Sequence, residues 1–331
     1  MKLKHAVVVG LAALGLAACE GDMGLPGEQG EQGPPGTQGP QGPVGPASPD
    51  DREVLQLPGN NFYPESITSG PDGSLYVGSF TTGQVVRFAP GALRSTPFIT
   101  SGLRNVAGVL VDSARSLLWV CDFDVSFATP GRVKSFALAS GAVQGTYEMP
   151  SGQCNDMALD GQGHLYVTDP VVSRIFRLPS GGTALAIWSE AAVYQGPQGQ
   201  FTVDGVTWDG QGALFVNKFN TGELLRVRIL ENGAAAAPEV ITVTPALSQP
   251  DGMRQLDATT LLVVEGAGRL TRVSISGASA TGTVLSNRLD GPTGVALVGQ
   301  SAWVSEGQLS ALFGDPNPAD VPFTVRRVEL P

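Results

Sequence analysis

Hydrophobic and polar positions follow one pattern that recurs six times between Tyr63 and the C-terminus. Each copy has a polar residue, a short apolar run, a turn built on Gly and Asp, a second apolar run that ends in a polar residue, and a third strand. The turns of the third and fourth copies, Asp160-Gly161-Gln162-Gly163 and Asp209-Gly210-Gln211-Gly212, are the same. Because one copy of this size cannot bury its own apolar face, the copies must pack on one another.

The period of the pattern predicts β-strands arranged as propeller blades. Alternation such as Leu75-Tyr76-Val77 followed by Val85-Val86-Arg87-Phe88 favours strands over helices. The first polar positions of the copies are separated by 42 to 49 residues, a spacing typical of four-stranded blades. These positions are Glu65, Ala107, Asn155, Asp204, Asp251 and Thr293. We therefore predict an all-β, six-bladed β-propeller over residues 52–331.

The two ends of this domain are predicted to close the ring. Residues 53–57 form a lone strand before the first blade, whereas the last blade ends at its third strand, residues 323–330. The N-terminal strand can supply the missing fourth strand and so remove an exposed sheet edge. We predict that these two strands pair.

The first 18 residues are typical of a signal peptide. A basic start at Lys2 and Lys4 precedes an apolar stretch, residues 6–18, that is too short to span a bilayer. The stretch ends in Leu16-Ala17-Ala18-Cys19, which resembles the bacterial lipobox and implies cleavage before Cys19 and acylation of its side chain. The alternative is an ordinary secretory signal. We predict an exported bacterial lipoprotein of the cell envelope that contacts the membrane only through its lipid anchor.

Residues 19–51 combine the lipidated cysteine with a collagen-like stretch. Glycine occupies every third position, at Gly21, Gly24, Gly27, Gly30, Gly33, Gly36, Gly39, Gly42 and Gly45. Only glycine fits the axis of a triple helix, so this period is the signature of collagen. Two interpretations stay open: a stiff or disordered stalk that holds the domain off the membrane, and a homotrimer formed through this segment.

Charge and composition exclude several classes of function. The net charge of −10 argues against a nucleic-acid partner, which requires a basic face. The chain has two histidines, His5 and His164, and His5 lies in the predicted signal peptide. This excludes mechanisms built on a histidine pair or on a Ser-His-Asp triad. Apart from Cys19 the chain has Cys121 and Cys154, and in an exported protein we predict a disulfide between them, with two buried free thiols as the alternative.

The order of strands in a blade predicts a functional site at one rim of the ring. The innermost strand begins at the first polar position and the second strand runs back, so second-strand ends meet that same rim. These ends are Ser79, Asp122, Asp169, Lys218, Glu265 and Glu306. With Glu65, Asp204 and Asp251 they predict seven carboxylates and one lysine around one mouth. Repulsion among these carboxylates favours protonation of some of them or binding of a hard cation such as calcium.

Four of the first polar positions resemble the metal ligands of the regucalcin–gluconolactonase family of six-bladed propellers. The matching segments are Tyr63-Pro64-Glu65, Asn155-Asp156-Met157, Val203-Asp204-Gly205 and Pro250-Asp251-Gly252-Met253. The resemblance implies a divalent ion, calcium or zinc, held by Glu65, Asn155, Asp204 and Asp251. Asp251 would be the catalytic base, with Asp204 as a second candidate. The alternative is that the four are solvated polar groups of the rim.

Two departures from the family pattern concern the substrate. Asp204 replaces the family's asparagine, and Gln153 replaces the arginine with which sugar-lactonase members would clamp a sugar acid. Gln153, Lys218 and Asp169 are candidate substrate-binding residues, although a salt bridge from Lys218 to Asp169 or Glu265 is an alternative. Phe123, Phe127, Phe219 and Trp303 are candidates for the wall of the mouth.

Three hypotheses of function follow from the sequence. The first is a membrane-anchored, metal-dependent hydrolase of small-molecule lactones or related esters. The second is a non-catalytic surface binding or scaffold propeller with a structural metal ion. The third is a structural adhesin that trimerises through residues 21–47.

Overall fold

The computed structural model describes residues 54–331. The predicted signal peptide, the lipidation site Cys19 and the collagen-like stretch lie outside the described residues, and the predictions about them stay predictions. The described part is all-β, with 24 strands and two short 3₁₀ helices, Ala192–Tyr194 and Leu309–Leu312. In residues 54–331 no helix is long and apolar enough to cross a membrane.

The strands, numbered in chain order, form four-stranded antiparallel blades. Blades one to three comprise β2 (Pro64–Ser69), β3 (Leu75–Ser79), β4 (Val85–Phe88), β5 (Thr96–Ile99); β6 (Asn105–Asp112), β7 (Leu117–Phe123), β8 (Arg132–Ala137), β9 (Val143–Glu148); and β10 (Met157–Leu159), β11 (Leu165–Asp169), β12 (Arg174–Leu178), β13 (Ala186–Glu190). Blades four to six comprise β14 (Val203–Trp208), β15 (Ala213–Lys218), β16 (Leu224–Arg228), β17 (Glu239–Thr244); β18 (Pro250–Asp257), β19 (Thr260–Glu265), β20 (Arg269–Ser276), β21 (Ser279–Ser286); and β22 (Pro292–Val298), β23 (Ser301–Glu306), β24 (Thr324–Glu329), β1 (Val54–Gln56).

The innermost strands close a ring. Strands β2, β6, β10, β14, β18 and β22 each contact the next, and β22 contacts β2. The six-bladed propeller predicted from the repeat is therefore confirmed. Closure occurs as predicted, because β1 pairs antiparallel with β24 and places Leu55 opposite Val325. Leu55, Phe323 and Val325 pack in one apolar cluster with residues of blade one, which ties the two chain ends together.

Blades four and five are joined at their outer edges, a feature that the repeat did not predict. Strand β17 runs parallel to β21, with Val243 opposite Ala280, so the two blades form one eight-stranded sheet. Each outer strand thereby covers the open edge of the other.

The innermost strands are irregular at or near the first polar positions of the repeat. The ladder between first and second strands shifts register around Glu65, Asp204 and Asp251, and also in blades two and six. A bulge redirects the side chain it carries and is common beside functional sites. These shifts aim residues of separate blades at the ring axis.

Gly205, directly after Asp204, allows blades four and five to approach each other. A Cβ at this position would lie 2.3 Å from the backbone oxygen of Asp251. Asn217 bonds to both backbones: its Oδ1 accepts the Gly205 N–H at 3.1 Å, and its Nδ2 donates to the Asp251 oxygen at 2.5 Å. The packed neighbour is therefore backbone, which cannot move aside as a flexible side chain can.

We expect Gly205→Ala to destabilise the fold by about 1–3 kcal/mol, because the added methyl overpacks this contact. Urea unfolding followed by circular dichroism measures the change. The matched control is Gly282→Ala, also in a strand, where the nearest atom to an added Cβ is a threonine methyl at 3.3 Å. Equal stability of the two variants would contradict the expectation.

Candidate active site

A cavity of about 350 Å³ lies at the ring axis. Glu65, Asn155, Asp204 and Asp251, from blades one, three, four and five, all line it, and Thr293 of blade six joins them. Ala107, at the equivalent position of blade two, lacks a polar side chain. The volume lies in the range of small-molecule sites.

The carboxyl groups of this cavity are buried close together. Burial raises the pKa of Glu65 well above its ordinary value, and the charges of Asp204 and Asp156 add to the effect. Burial, followed by the charge of Asp156, raises the pKa of Asp204 to about 8. Burial, followed by the charge of Asp204, also raises the pKa of Asp251 well above its ordinary value. A protein that must ionise all of these groups pays in stability unless a positive charge lies among them.

Two charged residues beside the cavity were missed by the sequence analysis. Asp156 is buried, and its Oδ2 accepts the Val206 N–H at 3.1 Å and Nη1 of Arg254 at 3.3 Å. Within the described residues its Oδ1 has no hydrogen-bond partner. Arg254 supplies positive charge to the cluster and so partly opposes the rise in the pKa of Glu65. Both residues stand close in sequence to predicted ligands, but 98 positions separate them and no spacing rule links them.

The donor set fits a hard divalent cation in its chemistry. Three carboxylates and one amide offer the oxygen atoms that calcium prefers, and all four line one cavity. As the side chains are placed, Asn155 Nδ2 donates to Asp204 Oδ1, and no group of three or more His, Cys, Asp or Glu within residues 54–331 is arranged to hold a metal ion. A shared ion would require the carboxyl groups of Glu65, Asp204 and Asp251 to draw together and the Asn155 amide to turn and present its oxygen. The fit therefore depends on these side-chain movements.

The acidic residues at second-strand ends do not line the cavity, so the predicted mouth of seven carboxylates is wrong. Asp122, Glu265 and Glu306 pair inside their own blades with Arg132, Arg269 and Arg326. The antiparallel register explains part of this, since it places Arg132 opposite Asp122 and Arg269 opposite Glu265. These charges stabilise the blades and leave the site to the innermost strands.

The three candidate substrate-binding residues have structural partners instead, and none lines the cavity. Gln153 Nε2 donates to the Thr129 oxygen at 2.8 Å, and its Oε1 accepts the Asp124 N–H at 2.8 Å. Lys218 pairs with Glu223 at 2.8 Å, and neither Asp169 nor Glu265 is the partner that the sequence suggested.

Asp169 is the third of these candidates, and it braces the turn that follows β11. Its Oδ1 accepts the N–H groups of Gln153, Val171 and Val172 at 2.9–3.1 Å. Burial is the main cause that raises the pKa of Asp169 to about 6. These bonds satisfy Oδ1 without a substrate, whereas Oδ2 is buried and has no hydrogen-bond partner within the described residues.

A disulfide between Cys121 and Cys154 joins blades two and three, with their Cα atoms 5.2 Å apart. Asn155 follows Cys154 directly, and its N–H donates to the Thr168 oxygen at 3.0 Å. The backbone of this candidate ligand is therefore held from two sides.

The outer part of the cavity is aromatic. Phe80, Phe123, Phe201, Phe219 and Phe313 line it. Phe123 and Phe219 were predicted to do so, whereas Phe127 packs on Phe123 at 5.8 Å without lining the cavity, and Trp303 packs against the core cluster that joins blades six and one. Phe201 and Phe313 were not predicted because they lie on connections between strands. Phe80 was not predicted either, although it follows Ser79 as Phe123 follows Asp122 and Phe219 follows Lys218.

Solved structures resemble this chain over most of its length. The allergen Mala s 1 of Malassezia sympodialis has a TM-score of 0.65 at 14% identity, with 86% of this chain and 97% of that one covered. A luciferin-regenerating enzyme has a TM-score of 0.61 at 13% identity, with coverage of 84% and 95%. Virginiamycin B lyase from Staphylococcus aureus has a TM-score of 0.56 at 14% identity, with coverage of 84% and 99%. What these structures share with the chain is the fold.

Comparison of sequences adds no family. No family model matches the chain, and no curated protein matches it. Function must therefore be argued from the cavity itself.

Proposed function

We propose that this protein is a metal-dependent hydrolase of lactones or related esters, exported and anchored to the membrane through Cys19. The observation that carries the proposal is the convergence of Glu65, Asn155, Asp204 and Asp251, from four blades, on one cavity of ligand size. Their resemblance to the ligand positions of the regucalcin–gluconolactonase family supports it. Calcium or zinc held by these four side chains would supply the positive charge that polarises an ester carbonyl and the attacking water.

The chain's own groups would supply the rest of the chemistry. Asp251 lines the cavity, and its carboxylate would accept the proton of the attacking water, with Asp204 as the alternative base. A cation among these carboxylates would lower the pKa of Asp251, which burial and the charge of Asp204 raise, and so keep its carboxylate ionised and able to accept a proton. The phenylalanines of the outer cavity would exclude bulk water and so strengthen electrostatic interactions at the reacting carbonyl.

A panel of lactones and aryl esters tests the proposal, each assayed with calcium, with zinc and with EDTA. We expect turnover that EDTA abolishes and that one of the two metals restores. Absence of turnover on the whole panel with both metals would contradict the hydrolase.

The arrangement of the side chains favours a second candidate, a binding or scaffold propeller with a structural ion. Asn155 bonds to Asp204 directly, and Arg254 already places positive charge beside the cluster. A metal-dependent rise in melting temperature without turnover on any ester would support this candidate over the hydrolase.

A further inference from the structure

Four phenylalanines form a closed cycle of ring contacts, which we call the aromatic collar. Centroid distances are 5.6 Å for Phe80–Phe123, 6.5 Å for Phe123–Phe201, 6.0 Å for Phe201–Phe313 and 6.1 Å for Phe313–Phe80. All four rings line the cavity. They are tilted or edge-on to one another, the arrangement that aromatic pairs prefer.

The collar is assembled from separate parts of the ring. Phe80 follows β3 of blade one, Phe123 ends β7 of blade two, Phe201 precedes β14 of blade four, and Phe313 lies between β23 and β24 of blade six. Phe80 and Phe123 occupy the same place in neighbouring blades, directly after Ser79 and Asp122, whereas Phe201 and Phe313 lie on connections that the repeat does not place. Their convergence over a buried acidic cluster therefore points to a role at the cavity.

Phe313 reaches the collar on a segment that crosses the mouth. This crossing segment, residues 307–323, leaves blade six, and its Leu309 packs against the core cluster of blades two and three. Its base is clamped where Gln308 Nε2 donates to the Asp320 oxygen at 2.9 Å and the Asp320 N–H donates to Gln308 Oε1 at 2.6 Å. The segment is thus held in place while Phe313 stays 56% exposed.

The spacing of the rings determines what can pass. Neighbouring rings about 6 Å apart are in contact, so a group that enters must slide between aromatic surfaces. An apolar group gains by leaving water for these surfaces, whereas a polyhydroxylated group loses hydrogen bonds that phenylalanine cannot replace. The collar therefore discriminates by the hydration of the substituent.

We propose that the aromatic collar selects neutral lactones or esters that carry an apolar aryl or alkyl substituent, with the substituent between the rings and the carbonyl toward Glu65, Asp204 and Asp251. Phe313 is the specificity-determining residue, since it is the exposed member on the crossing segment. The placement of the carbonyl toward the carboxylates rests on the proposed hydrolase function. Binding of the substituent between the rings does not rest on it, because binding requires no turnover.

Equilibrium binding of the neutral fluorophore N-phenyl-1-naphthylamine in EDTA tests the collar directly. We expect the wild-type protein to bind the probe and Phe313→Ala to bind it about tenfold more weakly, as expected for loss of one aromatic contact surface. The control is Phe127→Ala, whose ring is similarly exposed at 52% and touches Phe123 but does not line the cavity. Thermal melting checks that both variants fold. Equal probe affinity of wild type and Phe313→Ala overturns the inference.

Competition for the probe site identifies the class of ligand that the aromatic collar binds. An alkyl-substituted γ-lactone is expected to displace the probe at concentrations at least about tenfold below those of a polyhydroxylated lactone of the same ring size. Preferred displacement by the polyhydroxylated lactone, or by a trimethylammonium cation held by the rings and the carboxylates, overturns the inference.

Failure of the two proposals can be told apart. Probe binding that depends on Phe313 without hydrolysis of any ester supports the collar and contradicts the hydrolase. Hydrolysis that favours polyhydroxylated lactones and is unchanged in Phe313→Ala supports the hydrolase and contradicts the collar.

Discussion

Asp251→Asn is expected to lower kcat/KM for the best ester or lactone by about 10³-fold, within the range that general-base catalysis contributes. The substitution keeps the shape of the side chain but removes both the proton acceptor and one negative charge from the cavity. Asp251 lines that cavity beside Glu65 and Asp204. Initial rates at saturating calcium measure the loss.

The control for this variant is Asp209→Asn at a hairpin tip of blade four. Asp209 accepts backbone N–H groups only through Oδ1, at 2.7–2.9 Å, and asparagine retains that acceptor, so activity should be unchanged. Asp204→Asn distinguishes the two candidate bases, because the family that the sequence resembles has asparagine there. A larger loss in Asp204→Asn than in Asp251→Asn would assign the base to Asp204.

The fold could be predicted from the sequence because each blade repeats the same pattern of buried and exposed positions. The repeated alternation predicted the strands, and the missing fourth strand of blade six predicted the pairing of β1 with β24. The parallel contact between β17 and β21 was not readable, since both are outer strands with no partner signal in their alternation. The repeat describes one blade and its neighbours along the ring, and an edge contact between blades is outside that pattern.

Only the site residues that occupy equivalent positions in the blades could be predicted from the sequence. Glu65, Asp204 and Asp251 occupy the same place in their blades, and ring closure brings such places to the axis. Two members of the aromatic collar, Phe201 and Phe313, follow no period, since they lie on connections between strands. Connections vary in length and path, so the sequence indicates their composition but not their position over the cavity.

The charge pairs at second-strand ends show how a correct position led to a wrong function. Glu265 ends β19 and Asp122 lies one residue before the end of β7, and the register places an arginine opposite each of them. In blade four the signs are reversed, with Lys218 paired to Glu223. In blades two, four and five this pairing was present in the sequence as opposite charges flanking the turn after the second strand, and it favoured a structural role.

Calcium is expected to raise the melting temperature more at pH 8 than at pH 5. The folded-state pKa values of Glu65, Asp204 and Asp251 are raised, that of Asp204 to about 8, whereas the unfolded chain has ordinary values. Between about pH 4 and pH 8 the folded protein therefore binds more protons than the unfolded chain, and stability in EDTA falls as the pH rises. A cation among the carboxylates removes this cost once they are ionised.

The size of the effect follows from linkage. Calcium at about 100 times its dissociation constant contributes roughly 2.7 kcal/mol, or about 5–10 °C in melting temperature for a domain of this size. At pH 5 protonated carboxyls compete with the ion, so the shift should be under half as large. Asp169, whose pKa is raised to about 6, also makes stability fall as the pH rises, but it does not line the cavity and should not respond to calcium. The calcium-dependent part of the melting curve therefore isolates the cluster.

Asp204→Asn provides the decisive comparison for this expectation. It removes the carboxyl whose pKa lies near 8, so in EDTA the variant should melt above the wild type at pH 8 and close to it at pH 5. Asp209→Asn, away from the axis, should follow the wild type at both pH values. A melting temperature in EDTA that is independent of pH, or a calcium shift of equal size at pH 5 and pH 8, would mean that these carboxyls neither repel one another nor share an ion. The buried acidic cluster would then be held by Arg254 and its hydrogen bonds alone.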